Sequence, residues 1–400
     1  EEGISKVFIG KDTRISGYMF ESALQAGFIS SGMDVTLLGP LPTPGVSFLA
    51  NSNNQVGLVI SASHNLFEDN GIKFFNKDGQ KFSAELEKRI ESKLTQDMVA
   101  VDSINLGKAA RMNDAQGRYI EFCKSTFLGL DLTGLSILLD CANGATYSVA
   151  PKVFEELGAE VHAIGSSPDG ININQNCGST SPEFLKEEIT KGEYDLGIAF
   201  DGDGDRILIV TSNGDILDGD DILYILSQNL IEGSGVIGTL MTNKALEIHF
   251  GENNIDFYRS DVGDKYVLQK LVEKNWLLGG EPSGHIICLD SAPTGDAIIA
   301  ALKFLDAVKN DNFSIDKTLN NFKKFPQTLI NLKVDDPNNI ILSDKFWSEV
   351  TKIESKLGND GRVLIRPSGT EPLIRIMVES KDSSTSEDLC NSLAELALTL

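Results

Sequence analysis

The sequence predicts an α/β protein with three related mixed-sheet units in tandem and a smaller C-terminal α+β domain. Three observations lead to this prediction. A strand, loop, helix and strand recur three times along the 400 residues, apolar runs typical of buried strands lead into polar loops, and the pattern changes after about residue 331. A chain of this length also exceeds the size at which one core keeps growing. The four expected domains cover residues 1–112, 113–216, 217–326 and 327–400.

Each predicted unit is a βαβ arrangement, in which a helix connects two parallel strands. The Asp-Gly and Asn-Gly pairs at residues 78–79 and 213–214 are flanked by strand-like residues and indicate hairpins, so the sheets should be mixed. In the final segment we expect a leucine-striped helix that begins with a capping box at residues 384–387. The predicted elements of the three units lie at residues 7–10, 21–31 and 35–38, at 137–140, 153–157 and 161–164, and at 236–241, 244–250 and 255–258.

Composition and charge limit the possible partners. The chain has 58 acidic and 35 basic residues and a formal net charge of −23, which argues against nucleic acid or an anionic membrane surface as the main partner. Five cysteines without paired spacing indicate neither a disulfide framework nor a zinc site. No apolar run approaches the roughly 18 residues of a membrane span, and the opening Glu1-Glu2-Gly3 is not typical of a signal peptide. We expect a soluble protein in the reducing cytoplasm.

The stretch VGLVISASHNLFEDNGIKFF, at residues 56–75, predicts a reactive serine at a strand end. Its first five residues form an apolar run typical of a buried parallel strand, and small polar residues follow abruptly. Open α/β sheets bind ligands at the carboxyl ends of such strands. Ser63 would lie on this loop with His64 beside it and Lys73 beyond a turn. The hydroxyl could be a nucleophile or a phosphate carrier, but an ordinary polar loop whose serine caps a helix explains this stretch equally well.

Three aspartates alternate with glycines in the run FDGDGDR, directly after an apolar strand at residues 196–200. Asp201, Asp203 and Asp205 repel one another unless a cation lies among them. Oxygen ligands select a hard ion, and three carboxylates leave room for water or a phosphate oxygen, which suits Mg²⁺. An EF-hand is excluded, because its sixth loop position would be Arg206 instead of glycine. A solvated acidic turn is the remaining alternative, although it leaves the two glycines unexplained.

Two further loops carry polar groups suited to a sugar phosphate. The run GGEPSGH places Glu281, Ser283 and His285 close together, where they can contact sugar hydroxyls or an amine, although a histidine in a turn is often structural. The run RPSGTE, at residues 366–371, offers backbone amides, hydroxyls and a guanidinium, and Arg375 lies on the following strand. Such a concave group is suited to phosphate. The alternative, a tight Ser-Gly hairpin, leaves both arginines unexplained.

Taken together and in this order, the four loops resemble those of the α-D-phosphohexomutases. The runs ISASHN, DNGIKFF, GRYIEFCK and TGDAIIA are most similar to those of bacterial phosphoglucosamine mutases, and the resemblance covers all 400 residues. It implies three similar α/β domains and a smaller fourth domain around a central cleft. It also implies interconversion of glucosamine 6-phosphate and glucosamine 1-phosphate through a phosphoserine enzyme and glucosamine 1,6-bisphosphate, for UDP-N-acetylglucosamine and cell-wall precursors. A homodimer is common among such relatives.

The resemblance also assigns roles to residues of this chain. Ser63 is the expected phosphoserine, Lys73 the expected acid/base, and His64 a further catalytic candidate. The expected ligands of Mg²⁺ are Ser63, Asp201, Asp203 and Asp205. The residues expected to bind the sugar and its phosphates are Arg14, Glu281, Ser283, His285, Arg366, Ser368, Gly369, Thr370 and Arg375, and Arg206 is expected to add positive charge.

Two departures from the family pattern affect these assignments. Leu66 stands where the family usually has proline, which is expected to loosen the loop without removing a functional group. The family's first strand, with its Phe-Gly-Thr-Asp-Gly-Ile-Arg-Gly loop, has no counterpart before Val7, and its arginine belongs to the active site. A phosphomannomutase or phosphoglucomutase would use the same machinery, and a fragment without that arginine would bind phosphosugars without turnover. Both alternatives stay open at this point.

Overall fold

The computed structural model describes residues 5–129, 131–231, 233–309, 311, 313–319, 322–334, 336–367 and 373–400. The chain forms two compact units. The first unit comprises residues 1–241 and 258–320, and the second unit comprises residues 242–257 and 321–400. In these described ranges, no helix is both long enough and apolar enough to cross a membrane.

The first unit begins with a five-stranded mixed sheet. Its strands are β1 (Lys6–Lys11), β2 (Asp34–Pro40), β3 (Val56–Ile60), β4 (Ile72–Phe75) and β5 (Ala109–Arg111), and its helices are α1 (Ser16–Ser30), α2 (Thr43–Ser52) and α3 (Ala84–Glu91). The strand order is β4-β3-β1-β2-β5, with β4 antiparallel to β3 and the other pairs parallel. Val7, Ile9 and Leu58 are buried in its core, as the apolar runs predict.

The second sheet repeats this plan in four of its strands and adds its fifth strand at the opposite edge. Its strands are β6 (Ser136–Asp140), β7 (Glu160–Ile164), β8 (Leu196–Phe200), β9 (Ile207–Thr211) and β10 (Ile216–Leu217), and the nearby helices are α4 (Ala115–Ser125), α5 (Ala150–Glu156) and α6 (Glu183–Ile189). The order is β10-β9-β8-β6-β7, in which β6 is parallel to β7 and β8. Strands β9 and β10 pair antiparallel around residues 213–214, which confirms the predicted Asn-Gly hairpin.

The third sheet has four strands. They are β11 (Gly235–Thr239), β12 (Asp256–Ser260), β13 (Leu278–Gly280) and β14 (Ile286–Cys288), and the associated helices are α7 (Gly219–Ser227), α9 (Asp264–Lys274), α10 (Ala297–Lys309) and α11 (Ile315–Leu319). The order is β12-β11-β13-β14, with β11 parallel to β13 and β13 antiparallel to β14. Helix α8 (Lys244–Glu252), which follows β11 in sequence, belongs to the second unit.

A buried hydrogen-bond network joins α4 to α10 in the first unit. The hydroxyl of Tyr119 donates to Asp296 Oδ2 at 2.7 Å. Asp296 Oδ1 accepts from the backbone N–H groups of Ile298 and Ile299 at 3.0 Å each, which satisfies donors at the start of α10. Burial raises the pKa of Asp296 to about 6, so the carboxylate depends on these donors. The runs GRYIEFCK and TGDAIIA therefore meet at this contact.

Replacing Tyr119 by phenylalanine is expected to lower the free energy of unfolding by about 1 to 3 kcal/mol, because the buried Asp296 carboxylate loses a donor that water cannot replace. Urea unfolding followed by circular dichroism measures the change. Tyr147→Phe is the matched control, since Tyr147 is half-buried and lies outside this network. It should change stability by less than about 0.5 kcal/mol. Equal losses in the two variants would contradict the role given to Tyr119.

The second unit contains a three-stranded antiparallel sheet. Its further elements are β15 (Gln327–Lys333), β16 (Gly361–Pro367), β17 (Leu373–Ser380), α12 (Pro337–Ile341), α13 (Asp344–Leu357) and α14 (Ser383–Ala397). The order is β15-β17-β16. Ile374, Ile376 and Val378 of β17 are fully buried in its core, as their alternation predicts.

A buried carboxylate fastens α8 to this sheet. Arg362 donates from Nε and Nη2 to the two carboxylate oxygens of Glu379 at 2.7 and 2.9 Å. The backbone N–H of Lys244 donates to the same carboxylate at 2.9 Å. Glu379 is fully buried, and a bidentate arginine compensates for the charge that burial removes from water. Residues at the start of α8 thus belong to the core contacts of the second unit.

The expected capping box at residues 384–387 is wrong, because α14 begins at Ser383, two residues before the start that this box implies. Asp382 is its N-cap and accepts from the backbone N–H of Thr385 at 2.9 Å. Aspartate is among the strongest N-cap residues, and here it satisfies a donor of the first turn, whereas a box at residues 384–387 would have used the backbone N–H of Glu387. The predicted fold class is nevertheless confirmed, with three mixed α/β sheets followed by a smaller α+β sheet. The four domain boundaries stay a prediction.

Candidate active site

Ser63 lies on the loop that follows β3, defined here as the serine loop (residues 61–66). Its backbone adopts φ +52°, a left-handed conformation that is uncommon outside glycine and often marks functional loops. Its hydroxyl donates to Asp201 Oδ2 at 2.6 Å. Its backbone N–H donates to Ser61 Oγ at 2.9 Å. The structure therefore brings the predicted nucleophile against the predicted metal ligands.

The aspartate loop (residues 201–206) follows β8 and passes close to the serine loop. A Cβ at Gly202 would lie 2.6 Å from the carbonyl oxygen of Ser63. Gly204 adopts φ +74°, and a Cβ there would lie 2.7 Å from a methyl group of Thr146. Both positions thus require glycine. At Gly202 the reason is the close approach of the backbone, and at Gly204 it is close approach together with the positive φ.

The three aspartates are buried, and their carboxylates lie within 4.8 Å of one another. Burial, with Asp205 and Asp203 nearby, raises the pKa of Asp201. Burial alone would lower the pKa of Lys73, but Asp203 and Asp205 outweigh it and raise that pKa. Lys73 Nζ donates to Asp203 Oδ2 at 2.6 Å and to Asp205 Oδ2 at 3.3 Å. The predicted acid/base is thus a cation that offsets the crowded carboxylates.

The aspartates also retain oxygens for a metal ion. Asp203 Oδ1 and Asp205 Oδ1 are buried and have no hydrogen-bond partner. Buried carboxylate oxygens without a donor are costly, and a hard cation would satisfy both of them. This donor set fits a metal ion. The fourth predicted ligand, Ser63, reaches Asp201 directly through its hydroxyl.

A cavity of about 560 Å³ opens beside these residues within the first unit. It brings together seven predicted site residues, which are Ser63, His64, Lys73, Asp205, Glu281, Ser283 and His285. Arg206 also lines it, as expected for a cation of the site. The other lining residues are Lys81, Thr239, Met241, Val262, Gly263, Asp264 and Pro282.

Glu281 and His285 are held by neighbouring loops. Glu281 Oε1 accepts from the backbone N–H of Gly263 at 2.9 Å, and no bond to its other oxygen is present among the described residues. His285 is buried, with Nδ1 3.7 Å from Asp205 Oδ1 and Nε2 3.7 Å from Asp264 Oδ2. Both side chains therefore face the cavity in fixed positions.

His64 lies half-buried next to the serine, and its Nδ1 has no hydrogen-bond partner. Burial, helped by the positive charge of Arg206, lowers its pKa. The imidazole is therefore neutral at pH 7 and can accept a hydrogen bond from a ligand. Its catalytic role stays a prediction.

Arg14 occupies a different place from the one expected of a substrate ligand. The side chain is fully buried, and its Nε donates to Asp12 Oδ2 at 2.9 Å. Its Nη atoms donate to the backbone carbonyls of Ser63, Asn65 and Leu66 at 2.5 to 3.0 Å. The guanidinium thus holds the backbone of the serine loop through these carbonyls. This geometry does not favour direct contact between Arg14 and the substrate.

The predicted phosphate residues lie in the second unit. Arg366 on β16 and Arg375 on β17 stand directly opposite each other in the antiparallel pair. Like charges in such a pair are destabilising, and burial together with Arg375 lowers the pKa of Arg366. Arg375 Nε is buried without a hydrogen-bond partner. An anion between the two strands would relieve both conditions. Ser368, Gly369 and Thr370 lie outside the described residues.

Four domain families match the chain in succession. They are described as phosphoglucomutase/phosphomannomutase α/β/α domain I at residues 1–99, α/β/α domain II at 118–214, α/β/α domain III at 218–325, and the C-terminal domain at 329–396. The chain belongs to the phosphoglucomutase/phosphomannomutase family. The resemblance expected from the four loops is thereby confirmed.

Family members of known name and structure agree with this. The phosphoglucosamine mutase of Marinomonas sp. (strain MWYL1) is 52% identical over 404 residues, which cover 99% of this chain and 90% of that protein. A family protein from Burkholderia thailandensis has a crystal structure with TM-score 0.79 and 23% identity, covering 100% of this chain and 90% of that one. The N-acetylphosphoglucosamine mutase of Aspergillus fumigatus, solved with GlcNAc-6P and magnesium, has TM-score 0.70 and 16% identity and covers 89% and 92%. Both structures share the fold of this chain.

Sequence reasoning missed two charged residues of the cavity in this family member. Lys81 forms an ion pair with Asp264. Burial alone would raise the pKa of Asp264, but His285 and Lys81 outweigh it and lower that pKa. The predicted Asp-Gly turn was a signal for Lys81, because it returns this residue to pair with Phe75 of β4. Asp264 is the first residue of α9, at the end of the loop that follows the last strand of the third predicted βαβ unit, and the serine and aspartate loops also directly follow strands.

Proposed function

We propose that the chain is a phosphoglucosamine mutase, an isomerase that interconverts glucosamine 6-phosphate and glucosamine 1-phosphate. The observation that carries the proposal is the Ser63 hydroxyl at 2.6 Å from Asp201, beside two buried carboxylate oxygens without partners. The 52% identity to the Marinomonas enzyme supports this choice of sugar. Polar cavity residues and half-buried cations suit a phosphorylated sugar.

The reaction uses a phosphoryl group carried on Ser63. The phosphoryl group moves from Ser63 Oγ to the O1 hydroxyl of glucosamine 6-phosphate, which gives glucosamine 1,6-bisphosphate. The bisphosphate turns around, its 6-phosphoryl group returns to Ser63, and glucosamine 1-phosphate leaves. The Lys73 ammonium is the proposed acid that protonates Ser63 Oγ as its phosphoryl group leaves, and the resulting amine takes this proton back when the 6-phosphoryl group returns to Ser63. His64 is the proposed group that takes the proton of the attacking O1 hydroxyl and returns it to the departing O6. Such transfers need positioning and charge neutralisation above all.

Asp201, Asp203 and Asp205, together with the Ser63 oxygen or its phosphate, are the proposed ligands of Mg²⁺. When bound, the ion would neutralise charge on the transferring phosphoryl group. Few protein ligands, all of them oxygen, favour Mg²⁺ over a softer metal. Arg206 and Lys81 place further positive charge at the cavity. Arg366 and Arg375 are proposed to hold the phosphate that is not reacting, with Ser368, Gly369 and Thr370.

A mutase assay with several hexose phosphates tests the proposal. Purified protein with Mg²⁺ and a hexose bisphosphate activator should convert glucosamine phosphates with the highest kcat/KM. Equal or better turnover of mannose or glucose phosphates would favour a phosphomannomutase or phosphoglucomutase. Binding of all three sugars without turnover would favour a phosphosugar-binding protein. We also propose that the protein is cytoplasmic and forms a homodimer. Light scattering on protein eluting from a size-exclusion column would test the dimer.

Substrate preference is expected to depend on Glu281, whose second carboxylate oxygen can accept from the 2-ammonium of glucosamine. A charge-assisted hydrogen bond contributes roughly 1.5 to 3 kcal/mol, or about tenfold to hundredfold in kcat/KM over glucose phosphate. Glu281→Gln should reduce this preference by about tenfold while the variant stays folded. The exposed Glu193→Gln is the matched control and should keep the wild-type ratio. An unchanged ratio in Glu281→Gln would remove Glu281 from the recognition of the amine.

A further inference from the structure

We propose that Asn174 is a positioning residue that, with Arg14, holds the backbone of the serine loop in the geometry needed for phosphoryl transfer. This inference rests on the proposed mutase function. It concerns residues that do not touch the substrate cavity, because both side chains lie under the loop and are buried, at 4% and 0% exposure. Their role is exerted through the carbonyl of Ser63 itself and the carbonyl of Asn65, two residues further along the loop.

The contacts form a pair of bridges. Asn174 Nδ2 donates to the carbonyl oxygens of Ser63 and Asn65 at 2.9 and 2.8 Å. Arg14 Nη2 donates to the same two oxygens at 3.0 and 2.8 Å, and Nη1 donates to the carbonyl of Leu66 at 2.5 Å. Two nitrogen donors from different parts of the chain thus hold the same two carbonyls. This arrangement fixes the peptide planes that set the direction of the Ser63 side chain.

The orientation of the asparagine amide follows from its surroundings. The backbone carbonyls of Ser63 and Asn65 can only accept, so the NH₂ group of the Asn174 amide must face them. The amide oxygen in its place would face two acceptors. Asn174 Oδ1 is buried without a hydrogen-bond partner. Asn174 itself adopts φ +58°, and its backbone N–H donates to the carbonyl of Ala142 at 2.9 Å. The side chain therefore gives up one hydrogen bond, in a strained backbone, to support the serine loop.

Asn174 comes from the part of the chain that also carries the metal ligands, and this explains why its bonds to the serine loop matter for catalysis. Asn174 and Asp201 follow strands of the second sheet, whereas Ser63 follows a strand of the first. A Cβ on Gly202 would lie 2.7 Å from Asn174 Nδ2, so the asparagine touches the aspartate loop as well as the serine loop. Asn174 thus ties the serine to the same frame as the metal ligands. A shift of about 1 Å in such a geometry can lower turnover about a hundredfold.

Three variants test the role. Asn174→Ala removes the donor, and Asn174→Asp places a carboxylate oxygen against two carbonyls. Asn176→Ala is the matched control, because Asn176 also has a positive φ, at +54°, but is exposed. We expect kcat to fall on the order of tenfold to hundredfold in Asn174→Ala, and further in Asn174→Asp, while KM changes by less than about threefold. The control should keep the wild-type kcat.

Hydrogen–deuterium exchange of the peptide covering residues 61–66 gives a readout that does not depend on turnover. Exchange should be faster in Asn174→Ala than in wild type and unchanged in Asn176→Ala. If wild type shows no mutase activity, the proposed function fails. The exchange measurement by itself then decides whether Asn174 holds the serine loop. A folded Asn174→Ala with wild-type kcat and wild-type exchange would overturn the inference. If Asn174→Ala does not fold, Arg14→Lys, which keeps the charge but loses the planar donor group, gives the same decision by the same two measurements.

Discussion

Replacing Ser63 by alanine will reduce mutase turnover to below about one part in 10⁴ of the wild-type value, because the nucleophile that carries the phosphoryl group is lost. The fold should be kept, since the serine loop is held mainly through its backbone carbonyls by Arg14 and Asn174. Intact-mass analysis should find one phosphate on active wild-type protein and none on the variant. Peptide mapping should place it on Ser63.

The exposed Ser31→Ala provides the control for this experiment and should keep full activity. Phosphate mapped only to another residue, or substantial turnover by Ser63→Ala, would contradict the assignment. A glycine variant separates catalysis from backbone strain. Both variants lack the hydroxyl, but alanine must adopt φ +52° with a Cβ. Ser63→Gly should therefore be more stable than Ser63→Ala by about 1 kcal/mol and equally inactive.

The serine and aspartate loops could be located from sequence because each directly follows a buried strand. All residues of β3 and β8 are buried, and the predicted bounds of both strands are those of the structure. The abrupt change from apolar to small polar residues is a local signal, and parallel strands place their carboxyl ends at the same side of a sheet. The strand β15 was missed because it is an edge strand whose apolar residues are only partly buried.

The supporting residues could not be found this way, because their roles depend on contacts between distant parts of the chain. Asn174 lies 111 residues from Ser63, in a turn with several other asparagines that look equivalent in sequence. Lys81 and Asp264 are 183 residues apart. The sequence indicated Arg14 as a cation of the site, but it did not indicate that the guanidinium contacts the serine loop instead of the substrate. A buried guanidinium must satisfy its donors, and the carbonyls of the serine loop offered the acceptors.

Replacing Asp203 by asparagine is expected to weaken Mg²⁺ binding by at least about a hundredfold and to lower turnover about a thousandfold. Asp203 contributes a buried oxygen without a hydrogen-bond partner, and asparagine would supply one neutral oxygen in place of a charged carboxylate. The variant should fold, since it removes one charge from three crowded carboxylates and retains the backbone bond from Thr43 to its carbonyl.

Binding and stability can both be measured without turnover. Titration calorimetry should detect one Mg²⁺ site in chelator-treated wild type and none in Asp203→Asn at the same concentrations. Mg²⁺ at 100 times its dissociation constant should stabilise wild type by about 2.7 kcal/mol. The exposed Asp215→Asn removes the same charge outside the cluster and should match wild type in both measurements. Full activity of chelator-treated wild type would contradict the metal role. Equal Mg²⁺ stabilisation of wild type and Asp203→Asn would place the ion elsewhere, because Asp203 is one of the two aspartates of the cluster with a buried oxygen that has no hydrogen-bond partner.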